Sequence, residues 1–188
     1  LEIPENKRLI ILQGAGINID RGAEEAVEAM RQIDAVLMIV GDGDVVAQLK
    51  DRVVQLALES KVIFYGKKPY NVMMNYTFHA DIGLTLDKPT NMNYRLSLPN
   101  KVFDYMHTQT AVVATEIKEV AHVIRTNEIG EILQEFTIDK LAETINALFA
   151  DSEQLAKYKA NCLKAAQVEN WENETKILDT IYKVTSGK

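Results

Sequence analysis

Short continuous runs of apolar residues alternate in this sequence with longer stretches in which apolar residues recur every three or four positions. The first pattern is typical of strands buried on both faces, and the second of helices that bury one face. Parallel strands need such helical crossovers, so the alternation predicts an α/β fold with an open parallel sheet of about six strands. Five of these strands are located at 8–13, 35–40, 62–65, 81–86 and 110–114.

Helices are predicted between the strands, on both faces of the sheet. Apolar residues recur at helical spacing over 23–33 and again over 46–56. Two further helices are expected to begin at Pro69 and Pro99, because proline lacks the amide hydrogen that a first helical turn leaves without a partner.

From Thr137 onward the pattern is helical throughout and contains no strand-like run. We therefore expect a core over 8–135, followed by C-terminal helices over 137–184. No linker rich in Pro, Gly or Ser divides the chain, which predicts a single domain over 1–188. The chain begins at Leu1 and enters its first strand almost at once, so we interpret it as a fragment of a longer protein.

Charge and composition exclude several classes of function. Asp and Glu number 27 against 21 Lys and Arg, and a formal net charge of -6 argues against a nucleic-acid partner. No apolar run approaches the roughly 18 residues of a transmembrane segment, which favours a soluble protein. A single cysteine, Cys162, excludes an internal disulfide, and three histidines without ligand spacing predict no metal site.

Glycines follow the first predicted strand, at Gly14 and Gly16. A dinucleotide-binding fingerprint would need a third glycine where the sequence has Ile19, so that motif is excluded. The two glycines still allow backbone to approach a ligand closely, and Arg21 has a planar fork of donors suited to phosphate. A tight turn beside a solvated arginine explains these residues equally well.

The turns after the second and third strands each allow two interpretations. Asp42 and Asp44 could ligate a divalent cation, but we favour a turn in which Asp44 caps the next helix. Gly66 and Lys67 could lie beside a flat base at the top of the sheet, and a solvated lysine pair with Lys68 is an equal alternative.

The segment 96–115 is interpreted as a loop, a helix that begins with a proline, and a buried strand. In an open parallel sheet, a helix N-terminus beside the carboxyl ends of the strands is where anions bind. Ser97 is a candidate cap for this helix. The residues expected at the phosphate are those of the helix start, namely Leu98, Pro99 and Asn100.

Two charged residues follow within the same predicted helix. Lys101 adds a cation next to the expected phosphate, and Asp104 lies about one turn further along, within reach of a hydroxyl group. A phosphate group and a hydroxyl group on one ligand suggest a nucleotide.

Six segments, taken in order, resemble the C-terminal, nucleotide-sugar donor-binding half of the GT-B glycosyltransferases, close to glycosyltransferase family 4. The similarity covers most of residues 8–130, and VENWE at 168–172 resembles the final helix of that family. The segments are the turn before Arg21-Gly22, IVGDGD, VIFYG, HAD, LPNKVFDYM and AVVATEIKEVAHVI.

The resemblance implies a Rossmann-like domain that faces an N-terminal acceptor domain, which this chain lacks. It implies a metal-independent hexosyltransferase that moves a sugar from a UDP-, GDP- or ADP-sugar to an acceptor hydroxyl, with retained anomeric configuration, in bacterial surface glycan synthesis. No cofactor is expected, because the nucleotide-sugar is the substrate. The fragment is expected to bind nucleotide without transferring sugar, and the whole protein to be cytoplasmic, with peripheral membrane contact through the missing half.

The resemblance also assigns roles to individual residues. Arg21 and Lys101 would act on the donor diphosphate, Asp104 would bind the ribose hydroxyls, and Lys67 would lie beside the base. The remaining expected nucleotide contacts are Gly14, Gly16, Ser97, Leu98, Pro99 and Asn100.

The chain departs from the family pattern at two positions. Leu96 stands where the family has an acidic residue that contacts the donor sugar, which leaves neighbours such as Arg95 or Ser97 as candidates for that contact. Gly16 stands where the family has a second basic residue, so Arg21 would carry more of the charge.

Two other functions stay open from the sequence. A non-hydrolysing UDP-sugar epimerase has the same fold, but its Gly-Gly-x-x-Glu stretch is not evident over 115–122. A non-catalytic nucleotide-binding domain of the same fold is the second alternative.

Overall fold

A six-stranded parallel sheet forms the centre of the computed structural model, which describes residues 3, 4 and 6–185. Its strands are β1 (Leu9–Gly14), β2 (Val36–Gly41), β3 (Val62–Phe64), β4 (Ile82–Thr85), β5 (Ala111–Thr115) and β6 (Gly130–Leu133). Their order across the sheet is β3-β2-β1-β4-β5-β6, and every neighbouring pair is parallel. The predicted α/β fold is confirmed. The strand missing from the sequence prediction is β6, a short edge strand whose first three residues are only partly buried.

Nine helices are assigned within the described residues. They are α1 (Ala23–Ala29), α2 (Val46–Gln55), α3 (Tyr70–Phe78), α4 (Met92–Arg95), α5 (Lys101–His107), α6 (Lys118–Asn127), α7 (Ile138–Ala150), α8 (Ser152–Ala166) and α9 (Trp171–Thr185).

Helices cover both faces of the sheet, because successive side chains of each buried strand point to opposite sides. In β1, Ile10 and Leu12 join a cluster with apolar residues of α1, α2 and α7. Ile11 joins a second cluster with residues of α3, α5, α6 and α8. The apolar strand runs found in the sequence therefore reflect burial on both faces.

The apolar stripe over 23–33 is longer than the helix that forms there. Helix α1 ends at Ala29, and the following amides of Met30, Arg31 and Gln32 bond three residues back. Such tight turns keep residues three apart on one face, which leaves Met30 and Ile33 both buried.

Both predicted side-chain caps are wrong. Asn100 precedes α5 without a side-chain cap, while the hydroxyl of Ser97 donates to the carbonyl of Tyr94 at 3.0 Å and so faces back toward α4. Val45 precedes α2, and a carboxylate oxygen of Asp44 accepts a hydrogen bond from the backbone N–H of Ile19 at 3.0 Å. In each case the polar side chain bonds a preceding segment, α4 for Ser97 and the loop after β1 for Asp44, instead of the next helix.

The loop after β1 lies against the end of β4 at Gly22. Gly22 has a φ of 73°, and a Cβ added there would lie 2.4 Å from the Cβ of Leu86 and 2.6 Å from its carbonyl oxygen. Only glycine fits this left-handed, close approach. The preceding residue, Arg21, is thereby placed at the carboxyl end of β4.

Across the described residues, none of the helices combines the length and the apolar character that crossing a bilayer requires.

Candidate functional site

The order in which the chain adds strands to the sheet reverses between β1 and β4, which are neighbours in space but not in sequence. In open parallel sheets, ligands bind in the crevice outside the carboxyl ends of the strands at this point. A cavity of about 460 Å³ opens there, within the size range of small-molecule sites. It is lined by Gln13, Gly14, Ala15, Gly16, Arg21, Val40, Gly41, Lys67, Lys68, Tyr70, Met73, Pro99, Asn100, Lys101 and Asp104.

The cavity brings together all but two of the residues that the sequence predicts for the site. Ser97 and Leu98 do not line it. Ser97 bonds the carbonyl of Tyr94. Leu98 lines an adjoining groove beside Trp171 of α9, which shares Tyr70, Asn100 and Asp104 with the cavity. The loop before α5 turns these two side chains away because α4, which the sequence does not predict, occupies the preceding residues.

Asp104 lines the cavity, and two side chains donate hydrogen bonds to its carboxylate. Oδ1 accepts from the hydroxyl of Tyr70 at 2.8 Å, and Oδ2 accepts from the amide of Gln13 at 2.9 Å. Gln13 is itself fully buried, and its amide oxygen accepts a hydrogen bond from the hydroxyl of Thr77. The carboxylate is thus held in place by Gln13 of β1 and Tyr70 of α3.

Burial raises the pKa of the Asp104 carboxyl, and the hydrogen bonds from Tyr70 and Gln13 offset part of that rise. The same contact, with burial as the larger cause, raises the pKa of Tyr70 to about 12. Each carboxylate oxygen has two acceptor positions, and each has one protein donor. One further acceptor position on each oxygen is therefore available for two adjacent hydroxyl groups.

Two cations, Arg21 and Lys101, also line the cavity, and both interact with the buried acid Asp87. Nη1 of Arg21 is 3.7 Å from Oδ1 of Asp87, and the guanidinium carbon lies 4.9 Å from the ring centre of Tyr94. Burial lowers the pKa of Lys101; the charge of Asp87 acts in the opposite direction, and that of Arg21 adds to the lowering. Arg21 and Lys101 can attract an anionic group of a ligand.

The glycine turns after β1, β2 and β3 form the base of the cavity. The amide of Gly41 donates to the carbonyl of Gly66 at 3.0 Å, which fixes the turn that carries Lys67. The turn after β2 is bonded to the loop after β1, since the side-chain oxygen of Asn18 accepts from the amide of Asp44 at 3.2 Å. Within the part of the chain that the structure describes, no group of three or more His, Cys, Asp or Glu residues could hold a metal ion.

Four side chains that organise the site are absent from the sequence prediction: Gln13, Tyr70, Asp87 and Tyr94. The sequence does carry a signal for Gln13 and Asp87, since Gln13 ends the predicted strand 8–13 and Asp87 directly follows the predicted strand 81–86. Tyr70 and Tyr94 left none, because a tyrosine at the start of a helix or in a loop is unremarkable in sequence.

The candidates for the missing acidic contact lie outside the cavity. Leu96 itself is 61% exposed, and Arg95 is also exposed. Neither residue lines the cavity, and Ser97 faces α4. Among the cavity-lining residues, Asp104 is the sole carboxylate.

Solved structures similar to this one are glycosyltransferases and a sucrose-phosphate synthase. The sucrose-phosphate synthase of Thermosynechococcus elongatus is 20% identical with a TM-score of 0.85, and the match covers 98% of this chain and 47% of that one. Anabaena HepE, solved in complex with UDP-glucose, is 18% identical with a TM-score of 0.79, over 95% of this chain and 49% of that one. This chain therefore spans about half the length of both proteins.

A third similar structure is itself a separate domain. The C-terminal domain of the glycosyl transferase group 1 family protein LpcC from Francisella tularensis is 19% identical with a TM-score of 0.71, and the match covers 89% of this chain and 88% of that one. At these identities the likenesses show the fold, and they confirm the predicted Rossmann-like fold with helices on both faces of a parallel sheet.

Sequence comparison gives the family directly. A search of curated protein sequences found no match. The family model for glycosyl transferases group 1 matches residues 1–165, which is most of the chain. The chain belongs to the glycosyl transferases group 1 family.

Proposed function

We propose that this chain is the donor-binding domain of a retaining, metal-independent glycosyltransferase of family 4. Its core over 8–135 and its C-terminal helices over 137–184 would form one domain, and an N-terminal acceptor domain would belong to the same protein. The observation that carries the proposal is the cavity at the carboxyl ends of β1 and β2, which is lined by one carboxylate, Asp104, and by the cations Arg21 and Lys101.

The carboxylate and the two cations that line the cavity are suited to the two polar parts of a nucleoside diphosphate, namely its ribose and its diphosphate. Asp104 would accept hydrogen bonds from the ribose hydroxyls through its two available acceptor positions. Arg21 and Lys101 would bind the diphosphate, with the backbone of Gly14, Gly16 and the turn at Pro99 and Asn100 around it. Lys67 would lie beside the base.

The reaction breaks the bond between the anomeric carbon and a diphosphate oxygen, and it forms a bond from that carbon to an acceptor hydroxyl oxygen. Negative charge then grows on the departing diphosphate. Preorganised cations stabilise such charge best, and Arg21 is held before the ligand binds by its contacts with Asp87 at 3.7 Å and with the ring of Tyr94 at 4.9 Å. The base that removes the acceptor proton would belong to the N-terminal domain, and retention of configuration follows from the resemblance to family 4.

We propose that the donor is a UDP-sugar, and that its sugar, a hexose, is transferred to an acceptor in bacterial surface glycan synthesis. Support for uracil as the nucleobase of the donor comes from the similar protein HepE, which was solved with UDP-glucose. GDP- and ADP-sugars are the alternatives. The whole protein would be cytoplasmic, with membrane contact through the N-terminal domain.

Calorimetric titration of the chain with UDP, GDP and ADP tests this proposal. We expect UDP to bind, and Asp104→Ala and Arg21→Ala each to weaken binding by about tenfold or more, the usual effect of losing a hydrogen bond to a charged group. Arg31→Ala is the matched control, since Arg31 is 62% exposed and does not line the cavity. Absence of binding by all three nucleotides would contradict the proposal.

The proposal also separates binding from transfer. The isolated chain should bind UDP but release no UDP from UDP-glucose in the presence of sugar acceptors, because the acceptor domain supplies the base. Turnover by the isolated chain would show that this division of labour is wrong.

A further inference from the structure

We propose that Asp87 and Tyr94 are positioning residues that hold the Arg21 guanidinium in place for the diphosphate. The inference rests on the proposed function, because it concerns the cation that would bind the departing group. Neither Asp87 nor Tyr94 lines the cavity, so both would act on the ligand through Arg21.

Asp87 is a buried acid whose position is fixed by the sheet. It follows β4, and its backbone carbonyl accepts a hydrogen bond from the hydroxyl of Thr115, at the end of β5, at 2.7 Å. The residue is only 3% exposed, and its Oδ1 makes no hydrogen bond among the described residues. Burying a carboxylate without hydrogen bonds is costly unless cations lie close by. Arg21 supplies such a charge at 3.7 Å.

The ring of Tyr94 also contacts the Arg21 guanidinium. Its ring centre is 4.9 Å from the guanidinium carbon, a distance at which a cation and an aromatic face attract each other. Helix α4 keeps the ring there, because the side chain of Asn91 accepts from the amide of Tyr94 at 2.9 Å and Ser97 bonds its carbonyl. The function of this unexpected short helix would thus be to present Tyr94.

This arrangement fixes Arg21 without using its directional donors on the protein. The guanidinium is held by the charge of Asp87 and by its cation-π contact with Tyr94, and its buried Nε makes no hydrogen bond among the described residues. A guanidinium has five N–H donors in a rigid fork. Donors on Nη1 and Nη2 therefore stay available for diphosphate oxygen atoms.

A rival explanation makes the opposite prediction. If Asp87 acted only as a negative charge near the diphosphate, its removal would tighten anion binding. If Asp87 positions Arg21, its removal lets the guanidinium move and weakens diphosphate binding, although the local charge becomes more positive. The direction of the change in affinity separates the two.

The experiment compares UDP with uridine, which lacks phosphate, by calorimetric or NMR titration of the same variants. Asp87→Asn should weaken UDP binding by about fivefold and leave uridine binding unchanged. Tyr94→Leu should weaken UDP binding by about threefold, and the conservative Tyr94→Phe should restore it because the ring is kept. Asp34→Asn is the control for a lost negative charge, since the Asp34 side chain is 85% exposed and pairs with Lys7.

Uridine and the two tyrosine variants serve as the controls of this experiment. Uridine affinity reports whether the cavity is intact, and the two tyrosine variants keep the test valid if Asp87→Asn fails to fold. UDP binding by Asp87→Asn that equals or exceeds that of the unchanged chain would overturn the inference. Equal UDP binding by Tyr94→Leu and Tyr94→Phe would overturn the role of the ring. If the unchanged chain binds no UDP, the proposed function itself fails.

Discussion

Asp104 is a buried carboxyl group whose charge depends on two hydrogen bonds. Burial favours its protonated form, while the Tyr70 hydroxyl and the Gln13 amide favour its ionised form. The balance leaves the pKa above its ordinary value. The carboxylate is therefore ready to accept further hydrogen bonds from a ligand, which would also lower its pKa.

Tyr70→Phe is expected to raise the pKa of Asp104 further, because the substitution removes a donor that stabilises the carboxylate. A folded-state pKa above the unfolded one means that ionising the group costs stability. That cost is absent below the unfolded pKa and complete above the folded pKa. The substitution should therefore lower the free energy of unfolding at pH 7, by about 1 kcal/mol, but not at acidic pH.

The measurement is an NMR titration of the Asp104 carboxyl carbon, paired with urea unfolding at the two pH values. Tyr158→Phe is the matched control, since the Tyr158 hydroxyl bonds Glu131 and lies away from the cavity. An Asp104 titration that is identical in Tyr70→Phe and Tyr158→Phe would contradict this account of the shift.

At the scale of elements, the packing of the loop after β1 on the end of β4 decides where Arg21 lies. Gly22→Ala should destabilise the fold, because its Cβ would enter the space of Leu86 at a left-handed φ of 73°. Gly66→Ala is a matched control, with a φ of 65° and open space around its Cβ. The backbone strain of about 1 to 2 kcal/mol is common to both variants, and the steric overlap is not.

Urea unfolding of the two variants separates strain from overlap. We expect the Gly22→Ala chain to lose about 2 kcal/mol more stability than the Gly66→Ala chain. Equal losses would mean that the loop and β4 can move apart at little cost, and that Arg21 is not fixed by their contact.

At the scale of the whole molecule, packing on the sheet is uneven along the chain. Helix α8 buries Leu155, Tyr158 and Cys162. Helix α9 has the same length, and its exposed apolar side chains include Trp171, Ile177 and Leu178. In α9, Trp171 is 70% exposed and Ile177 is 54% exposed. Little burial therefore opposes the opening of α9.

Amide hydrogen exchange followed by mass spectrometry measures this difference. In the isolated chain, we expect the amides of α9 to exchange at least about 100-fold faster than those of α8, since local opening costs less where fewer apolar contacts break. Equal protection of these two helices of equal length would contradict that expectation.

Much of this fold was predictable because its signals are local. An apolar run buried on both faces and a helical stripe are each visible within a few residues, as in β2 and α2. The signal fails where burial is partial, as in the edge strand β6, or where a helix is a single turn, as in α4. Both predicted caps were wrong because Ser97 bonds the carbonyl of Tyr94 in α4, and Asp44 bonds the amide of Ile19 in the loop after β1.

By itself, the sequence determined the α/β fold, the helices on both faces, and the edge of the sheet where Arg21, Lys101 and Asp104 would meet. It could do so because the carboxyl ends of parallel strands always lie at one edge. Only the tertiary structure decided which side chains hold those residues. Gln13 reaches Asp104 across 91 positions, and Tyr94 reaches Arg21 from a helix without a sequence signal. Such contacts depend on strand order and loop packing, which no local pattern encodes.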